Sequence, residues 1–165
     1  MKNYYSSTEW KALKSLIDNE KGKGKELVFT NGCFDILHPG HLALLDFAKK
    51  QKGFFILGLN SDDSVRRLKG AGRPINTAKI RGQNLLDTGL IDAVVVYEED
   101  TPQEITDILE PSVLIKGGDY HFETIVGAPE VKSRGGKVLV FPTVPGHSTT
   151  KIIESESKKI ETNQL

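Results

Sequence analysis

Hydrophobic residues along the chain are concentrated in five short runs. They are ELVFT at 26–30, FFILGLN at 54–60, AVVVY at 93–97, SVLIK at 112–116 and KVLVF at 137–141. Hydrophobic and polar residues do not alternate in these runs, and uninterrupted runs of this length are typical of strands that are buried on both faces. The pattern therefore predicts five strands of a mostly parallel sheet.

The segments between these runs have the spacing of amphipathic helices. The first predicted helix, at residues 8–20, has Thr8 as its cap and ends before a GKGK run. Residues 39–50, 61–69 and 101–110 predict further helices. Because strands and helices alternate, we expect right-handed crossovers around the sheet. The predicted fold class is α/β, with a Rossmann-like, mostly parallel five-stranded sheet flanked by helices.

The length of 165 residues fits one domain with one ordinary core. We predict an N-terminal helical extension at residues 1–25, the main α/β domain at 26–154 and a C-terminal tail at 155–165. The last residues, ESESKKIETNQL, are polar and are expected to fray. No internal repeat or low-complexity linker indicates a second domain.

Composition excludes several classes of function. Lysine plus arginine and aspartate plus glutamate both number 22, so no global field attracts a nucleic acid or an anionic membrane surface. The single cysteine, Cys33, excludes an intramolecular disulfide and a multi-cysteine zinc cluster, in keeping with a reducing cytosol. The N-terminus has no signal-peptide core. We therefore expect a cytoplasmic protein with no nucleic-acid or membrane partner, in which any phosphate binding is local.

Glycine and polar residues cluster where the predicted strands end, in TNGCFD, LNSDD, KGGDY and FPTVPGHSTT. Open parallel sheets bind their ligands at the carboxyl ends of the strands. The first of these segments leads into HPGH, in which Pro39 suits the first position of a helix, His38 its cap and His41 its first turn. A helix N-terminus favours phosphate, and Gly40 allows close approach to the backbone.

The two histidines add donors that can stabilise charge on a phosphoryl group. The alternative is that both merely cap the helix, and the pairing around Pro-Gly after a strand favours the functional interpretation. A zinc site built from Cys33, His38 and His41 is a weaker alternative, because it lacks a fourth ligand and has no common spacing.

Three other segments carry candidate phosphate ligands. Ser148 and Thr149 precede a predicted helix start, and simple capping explains them equally well. Lys116 stands in a glycine-rich turn, where a solvated lysine is the alternative. Lys69 and Arg73 supply two further cations, for which an exposed loop is the alternative.

Seven segments together carry a family resemblance, namely TNGCFDILHPGH, LNSDDSVRRLKGAGRPI, EEDTPQEI, VLIKGGDY, IVGAPEV, GGKV and STTKII. The first of them resembles the strand, loop and HxGH helix of the cytidylyltransferase-like nucleotidyltransferase superfamily. In order and spacing, from about residue 26 to 154, the set is most similar to the D-glycero-β-D-manno-heptose 1-phosphate adenylyltransferases. Together the segments are a specific match.

This resemblance implies transfer of AMP from ATP, with Mg²⁺, to heptose 1-phosphate, giving ADP-heptose and pyrophosphate for lipopolysaccharide synthesis. It also implies a homo-oligomer of the stand-alone form, served by a separate heptose kinase and phosphatase. A sugar phosphate has its second pKa near ~6, so its attacking oxygen needs no general base. Positioning and electrostatics should therefore carry the reaction.

The motif positions then assign roles to individual residues. We predict that the catalytic residues are His38, His41 and Lys116. The predicted nucleotide-binding residues are Thr30, Asn31, Gly32, Cys33, Phe34, Asp35, Gly40, Arg73, Gly118, Asp119, Ser148, Thr149 and Thr150. Asn60, Asp62 and Lys69 are predicted to bind the sugar phosphate, and Asp35 is the motif carboxylate placed to assist the metal.

The sequence departs from the resemblance in two places. Residues 77–92, TAKIRGQNLLDTGLID, replace a helix that is usually richer in glutamate and alanine, although Arg81 keeps a basic position. The leading helix with Trp10 lies outside the match. Two other functions stay open: a CTP-dependent enzyme acting on glycerol 3-phosphate or another small phosphate ester, and a non-catalytic nucleotide-binding module.

Overall fold

The computed structural model describes residues 2–118 and 124–142. Within them the strands are β1 (Tyr4–Tyr5), β2 (Leu27–Gly32), β3 (Phe54–Asn60), β4 (Ala93–Tyr97), β5 (Val113–Gly117) and β6 (Lys137–Phe141). The helices are α1 (Trp10–Gly22), α2 (Pro39–Lys49), α3 (Asp62–Lys69), α4 (Ala78–Asp87), α5 (Gln103–Leu109) and α6 (Ala128–Ser133). Among these helices, none is both long and apolar enough to cross a membrane.

The strands form a parallel sheet in the order β1-β4-β3-β2-β5-β6. The predicted α/β, Rossmann-like class is confirmed, and the five predicted strands are all present. The described part of the sheet has a sixth strand that the prediction missed, because Tyr4–Tyr5 is too short to stand out as a hydrophobic run. Tyr4 pairs with Val94 and Tyr5 with Val95, at the edge of the sheet.

Helices cover both faces of the sheet. On one face α1, α5 and α6 contribute Leu13, Ile105 and Val131 to a core layer that also contains Phe29 of β2. On the other face α2 and α4 pack Leu45 and other apolar side chains against the strands. Successive strand residues point to opposite layers, which is why the strand runs are hydrophobic without alternation.

The helix termini follow local side-chain chemistry. The predicted cap of α1, Thr8, is wrong by one residue, since the N-cap is Glu9. Glu9 makes no side-chain capping bond to the helix, and its carboxylate accepts from the preceding backbone N–H of Ser6 at 2.7 Å. Ser61 and Thr77 cap α3 and α4 with their hydroxyl oxygens. The short helix α6 was not predicted, because its six residues contain too few apolar positions to show a period.

Candidate active site

A cleft of about 670 Å³ opens at the carboxyl ends of β2, β3, β4 and β5. The predicted site residues that line it are Asn31, Gly32, Cys33, Phe34, Asp35, His38, His41, Asn60, Lys69, Arg73 and Lys116. Four predicted residues are described but do not line it, namely Thr30, Gly40, Asp62 and Gly118. Asp119, Ser148, Thr149 and Thr150 lie outside the described residues.

Two of the four residues outside the cleft, Thr30 and Gly118, form hydrogen bonds to neighbouring strands. Thr30 is fully buried, and its hydroxyl donates to the carbonyl of Ile115 at 2.8 Å, which ties β2 to β5. The backbone N–H of Gly118 donates to the carbonyl of Phe141 at 2.9 Å. Both residues therefore stabilise the edge of the sheet next to the cleft, and neither lines the cleft.

His38 and His41 meet at the start of α2. His38 is the N-cap, and its Nδ1 accepts from the backbone N–H of His41 at 3.3 Å. The capping interpretation is thus correct for His38, whose exposed ring still faces the cleft. A Cβ on Gly40 would lie 2.9 Å from the His38 ring, so glycine leaves the space in which that ring sits over the helix start.

His41 is enclosed on two sides. The His38 ring stacks on the His41 ring, with 3.6 Å between their centroids. The centroid of the Phe34 ring lies 4.9 Å from that of His41. Burial first, and then the neighbouring His38, lowers the pKa of His41 to about 4. At neutral pH the His41 imidazole of the free chain is therefore uncharged.

The turn between β2 and α2 requires small residues. Phe34 has a φ of 46°, an unusual conformation for an aromatic residue, and its side chain is buried. A Cβ on Gly32 would lie 2.7 Å from the Phe34 ring. Gly32 is therefore needed so that Phe34 can fold under the loop and support His41.

Asp35 fastens a second loop to this turn. Its carboxylate accepts from the backbone N–H groups of Ile75 at 2.7 Å and Asn76 at 2.9 Å, and from Arg73 Nε at 2.9 Å. Although burial raises the pKa of Asp35, these donors lower it overall. Both oxygens accept hydrogen bonds, so the geometry favours a role in holding this loop over the predicted metal role. Asp35 holds the backbone of residues 75 and 76 and the guanidinium of Arg73 beside the cleft.

Arg81 is a buried residue that connects several loops of the site, and the sequence identified it only as a basic position. Its guanidinium is fully buried in α4 and donates to the carbonyl oxygens of Cys33, Asn60 and Asn76 at 2.8 to 2.9 Å. It also donates to Asp62 Oδ1 at 2.7 Å. Asp62, which is predicted to touch the substrate, accepts this bond and so anchors Arg81, which holds three loops of the site together.

The cleft carries more cations than anions. Lys69, Arg73 and Lys116 line it, as do the carboxylates of Asp35 and Asp100. Asp35 is neutralised by Arg73 at 2.9 Å. Lys116 Nζ donates to Asn31 Oδ1 at 3.1 Å, and burial lowers the pKa of Lys116. Together with the N-terminus of α2, this balance suits a ligand with several negative charges.

Several lining residues were not singled out from the sequence. Tyr97 ends β4, and Asp100, Thr101 and Pro102 follow it in the loop before α5. The available signal was the position of this loop after a strand, because the carboxyl end of every parallel strand reaches the same edge. Ile36, Leu44, Leu68, Gly117, Thr124 and Val126 complete the described lining.

The sequence of this chain is similar to a known protein family and to curated proteins. The model of the cytidylyltransferase-like family matches residues 29–155. The Bifunctional protein HldE of Syntrophotalea carbinolica is 49% identical over 143 residues, which make up 87% of this chain and 29% of that protein. HldE of a Marinomonas species is 54% identical over 131 residues, 79% of this chain and 28% of that protein. The chain spans less than a third of the length of these curated relatives.

Solved structures have the same fold at lower identity. The lipopolysaccharide core biosynthesis protein of Thermoplasma volcanium has a TM-score of 0.58 and 22% identity, covering 71% of this chain and 94% of that one. The pantoate-beta-alanine ligase of Francisella tularensis, complexed with a nucleotide and beta-alanine, has a TM-score of 0.62 and 14% identity. It covers 90% of this chain and 69% of that one. At these identities the similarity concerns the fold.

Proposed function

This chain belongs to the cytidylyltransferase-like family and is a nucleotidyltransferase, and we propose that it transfers AMP from ATP to D-glycero-β-D-manno-heptose 1-phosphate. The products are ADP-heptose and pyrophosphate. The observation that carries this proposal is the stacked His38 and His41 pair at the N-terminus of α2, inside a cleft that also contains Lys69, Arg73 and Lys116.

The proposed reaction is an in-line displacement at the α-phosphorus of ATP. A phosphate oxygen of the sugar 1-phosphate forms a bond to that phosphorus, and the bond from it to the bridging oxygen of the β-phosphate breaks. The electron pair of the broken bond leaves with pyrophosphate. Since the attacking oxygen is already ionised at neutral pH, the chain supplies orientation and charge stabilisation, and no general base is needed.

The histidines act on the charge that develops as pyrophosphate departs. Neutral His41 donates a hydrogen bond to a phosphoryl oxygen, and the positive end of the α2 helix dipole favours the same negative charge. His38 extends this surface toward the exposed mouth of the cleft. Negative charge on a bound triphosphate raises the pKa of His41, so its donor capacity strengthens as ligand binds.

The cations divide along the cleft. Lys116 lines the cleft near the end of β5, and in this proposal it contacts the transferring phosphoryl group. Lys69 and Arg73 line the loop side of the cleft, and in this proposal they contact the terminal phosphates or the sugar phosphate. The predicted roles of Ser148 and Thr149 stay part of this proposal, since those residues lie outside the described part of the chain.

The described residues do not form a metal cage. No group of three or more histidine, cysteine, aspartate or glutamate side chains within residues 2–118 and 124–142 is arranged to hold an ion. The carboxylate of Asp35 is occupied by three N–H donors. In this proposal Mg²⁺ would bind together with ATP and would neutralise phosphate charge.

The choice of heptose 1-phosphate rests on the sequence segments that resemble the heptose 1-phosphate adenylyltransferases. Relatives at 49% and 54% identity named Bifunctional protein HldE, and a similarly folded protein described by lipopolysaccharide core biosynthesis, are consistent with it. The same proposal includes a heptose kinase and phosphatase that supply the sugar phosphate, and a homo-oligomeric enzyme.

Pyrophosphate release tests the substrate pair. The purified chain is incubated with Mg²⁺ and either ATP or CTP, each with heptose 1-phosphate or glycerol 3-phosphate. We expect rapid release from ATP with heptose 1-phosphate alone. Release only from CTP with glycerol 3-phosphate would keep the transferase and discard the heptose assignment, and ATP binding without release from any pair would indicate a non-catalytic module.

A further inference from the structure

A chain of hydrogen bonds crosses the floor of the cleft from β5 through β2 to β4 and β3. Lys116 Nζ donates to Asn31 Oδ1 at 3.1 Å, and Asn31 Nδ2 donates to the Tyr97 hydroxyl at 3.1 Å. The Tyr97 hydroxyl in turn donates to Asn60 Oδ1 at 2.9 Å. Four side chains from four strands are thereby joined, with Tyr97 at the centre.

The end of this series of hydrogen bonds that lies farthest from Lys116 fixes the direction of every hydrogen bond in it. Asn60 Nδ2 donates to the Ser64 hydroxyl at 3.0 Å, and this hydroxyl donates to the carbonyl of Glu99 at 3.1 Å. A carbonyl oxygen only accepts hydrogen bonds and an ammonium group only donates them. The Ser64 hydroxyl therefore donates to the Glu99 carbonyl, and each hydrogen bond runs from donor to acceptor in the direction away from Lys116. Each amide therefore has one orientation that satisfies both of its neighbours.

The central hydroxyl has little access to water. Tyr97 is 1% exposed and Asn60 is 3% exposed, so water cannot readily replace a lost partner at this point. Polar groups in such a network are coupled, and removing one member affects the orientation of the others. A residue two hydrogen bonds away from Lys116 can therefore affect the position of its ammonium group.

We propose that Tyr97 is a positioning residue for Lys116. Its hydroxyl holds the Asn31 amide so that the amide oxygen, rather than the NH₂ group, faces the Lys116 ammonium at the floor of the cleft. Without the hydroxyl, Asn31 Nδ2 has lost its acceptor, and rotation of the amide turns a donor toward a cation. The inference rests on the proposed function only in giving Lys116 a phosphoryl group to contact.

A double-mutant cycle tests this coupling. Tyr97→Phe, Lys116→Met and the double variant are compared with the wild-type chain for kcat and KM in pyrophosphate release. We expect Tyr97→Phe to lower kcat about tenfold in the wild-type background and less than about twofold beside Lys116→Met, as for members of one network. Equal factors in both backgrounds, or no effect in either, would overturn the proposal.

A matched control separates positioning from general loss of stability. Tyr5→Phe removes the same atom from another buried tyrosine, whose hydroxyl lies 3.4 Å from the carbonyl of Lys2 and outside the cleft. This variant should leave kcat and KM unchanged. If Tyr97→Phe does not fold, Ser64→Ala, which lies outside the cleft lining at the far end of the same chain of hydrogen bonds, replaces it in the cycle. A loss of kcat as large beside Lys116→Met as in the wild-type background would then contradict the proposal.

A crystal structure of the Tyr97→Phe chain gives an answer that does not depend on turnover. The inference predicts that Lys116 Nζ and Asn31 Oδ1 separate beyond about 3.5 Å, the limit of a hydrogen bond. An unchanged pair would overturn it. If the wild-type chain releases no pyrophosphate with heptose 1-phosphate, the proposed function fails, and this structure still decides the role of Tyr97.

Discussion

The imidazole rings of His38 and His41 stack, with 3.6 Å between their centroids and 21° between their planes. Two positive charges at that separation would repel strongly, and His41 is also half-buried, which lowers its pKa to about 4. In the proposed reaction His41 therefore acts as a neutral hydrogen-bond donor to phosphate, and not as a permanent cation.

Substitution of His41 should affect turnover more than binding. We expect His41→Ala to lower kcat by about 10²- to 10³-fold, the usual cost of removing one preorganised donor, while calorimetry finds ATP affinity nearly unchanged. Leu42→Ala, at an exposed neighbour in the same helical turn that does not line the cleft, is the control and should be active. Near-normal turnover of His41→Ala would rule out the proposed role.

The low pKa of His41 also predicts how stability varies with pH. Between pH 6.5 and about 4 the folded chain binds fewer protons at this ring than the unfolded chain, so the ring's contribution to stability decreases as the pH falls through this range. His41→Gln should show a shallower loss of stability over the same range. Urea unfolding of both proteins measures the difference, and parallel curves would mean that the pKa of His41 is not lowered.

Asp35 gives a prediction that separates a loop fastener from a metal ligand. Asp35→Asn turns a donor toward Arg73 or a backbone N–H, and we expect a loss of about 2 kcal/mol in the free energy of unfolding. The Mg²⁺ concentration needed for half-maximal activity should stay the same. A marked rise in that concentration, with stability unchanged, would restore Asp35 as a metal ligand.

A surface carboxylate supplies the comparison for Asp35. Asp18 pairs with Lys14 across one turn of α1, at 2.9 Å and largely exposed. Asp18→Asn should therefore cost about 0.5 kcal/mol or less, as exposed pairs usually do. A similar cost for both substitutions would show that the contacts of Asp35 contribute little.

Arg81 should be irreplaceable by lysine. An ammonium cannot reach Cys33, Asn60 and Asn76 together from a fully buried position, so we expect Arg81→Lys to cost about 3 kcal/mol of stability. Arg67→Lys, at an exposed pair with Asp100, is the control and should have little effect. Thermal unfolding measures both, and equal small shifts would contradict the organising role.

The sequence predicted those features that depend on local order along the chain. HPGH placed His38 at the cap and His41 in the first turn, and the structure has both there. Each hydrophobic run became a strand, because burial on both faces determines such a pattern. The two-residue strand Tyr4–Tyr5 escaped, since two residues have no period to detect.

Features that depend on the order of strands in space were not predictable in this way. Tyr97 belongs to the site because β4 lies next to β3, which brings its hydroxyl to Asn60. The bond between Asp62 and Arg81, 19 residues further along the chain, was likewise not predicted. A single sequence does not state these neighbours, and only the fold supplies them.

Isotope transfer from ATP tests the central claim most directly. The chain is incubated with heptose 1-phosphate, Mg²⁺ and ATP labelled either at the α-phosphorus or at the γ-phosphorus, and the products are separated. The proposed displacement predicts that the α label appears in the sugar nucleotide and the γ label in pyrophosphate. Transfer of the γ label to the sugar phosphate, or no label in any sugar product, would contradict it.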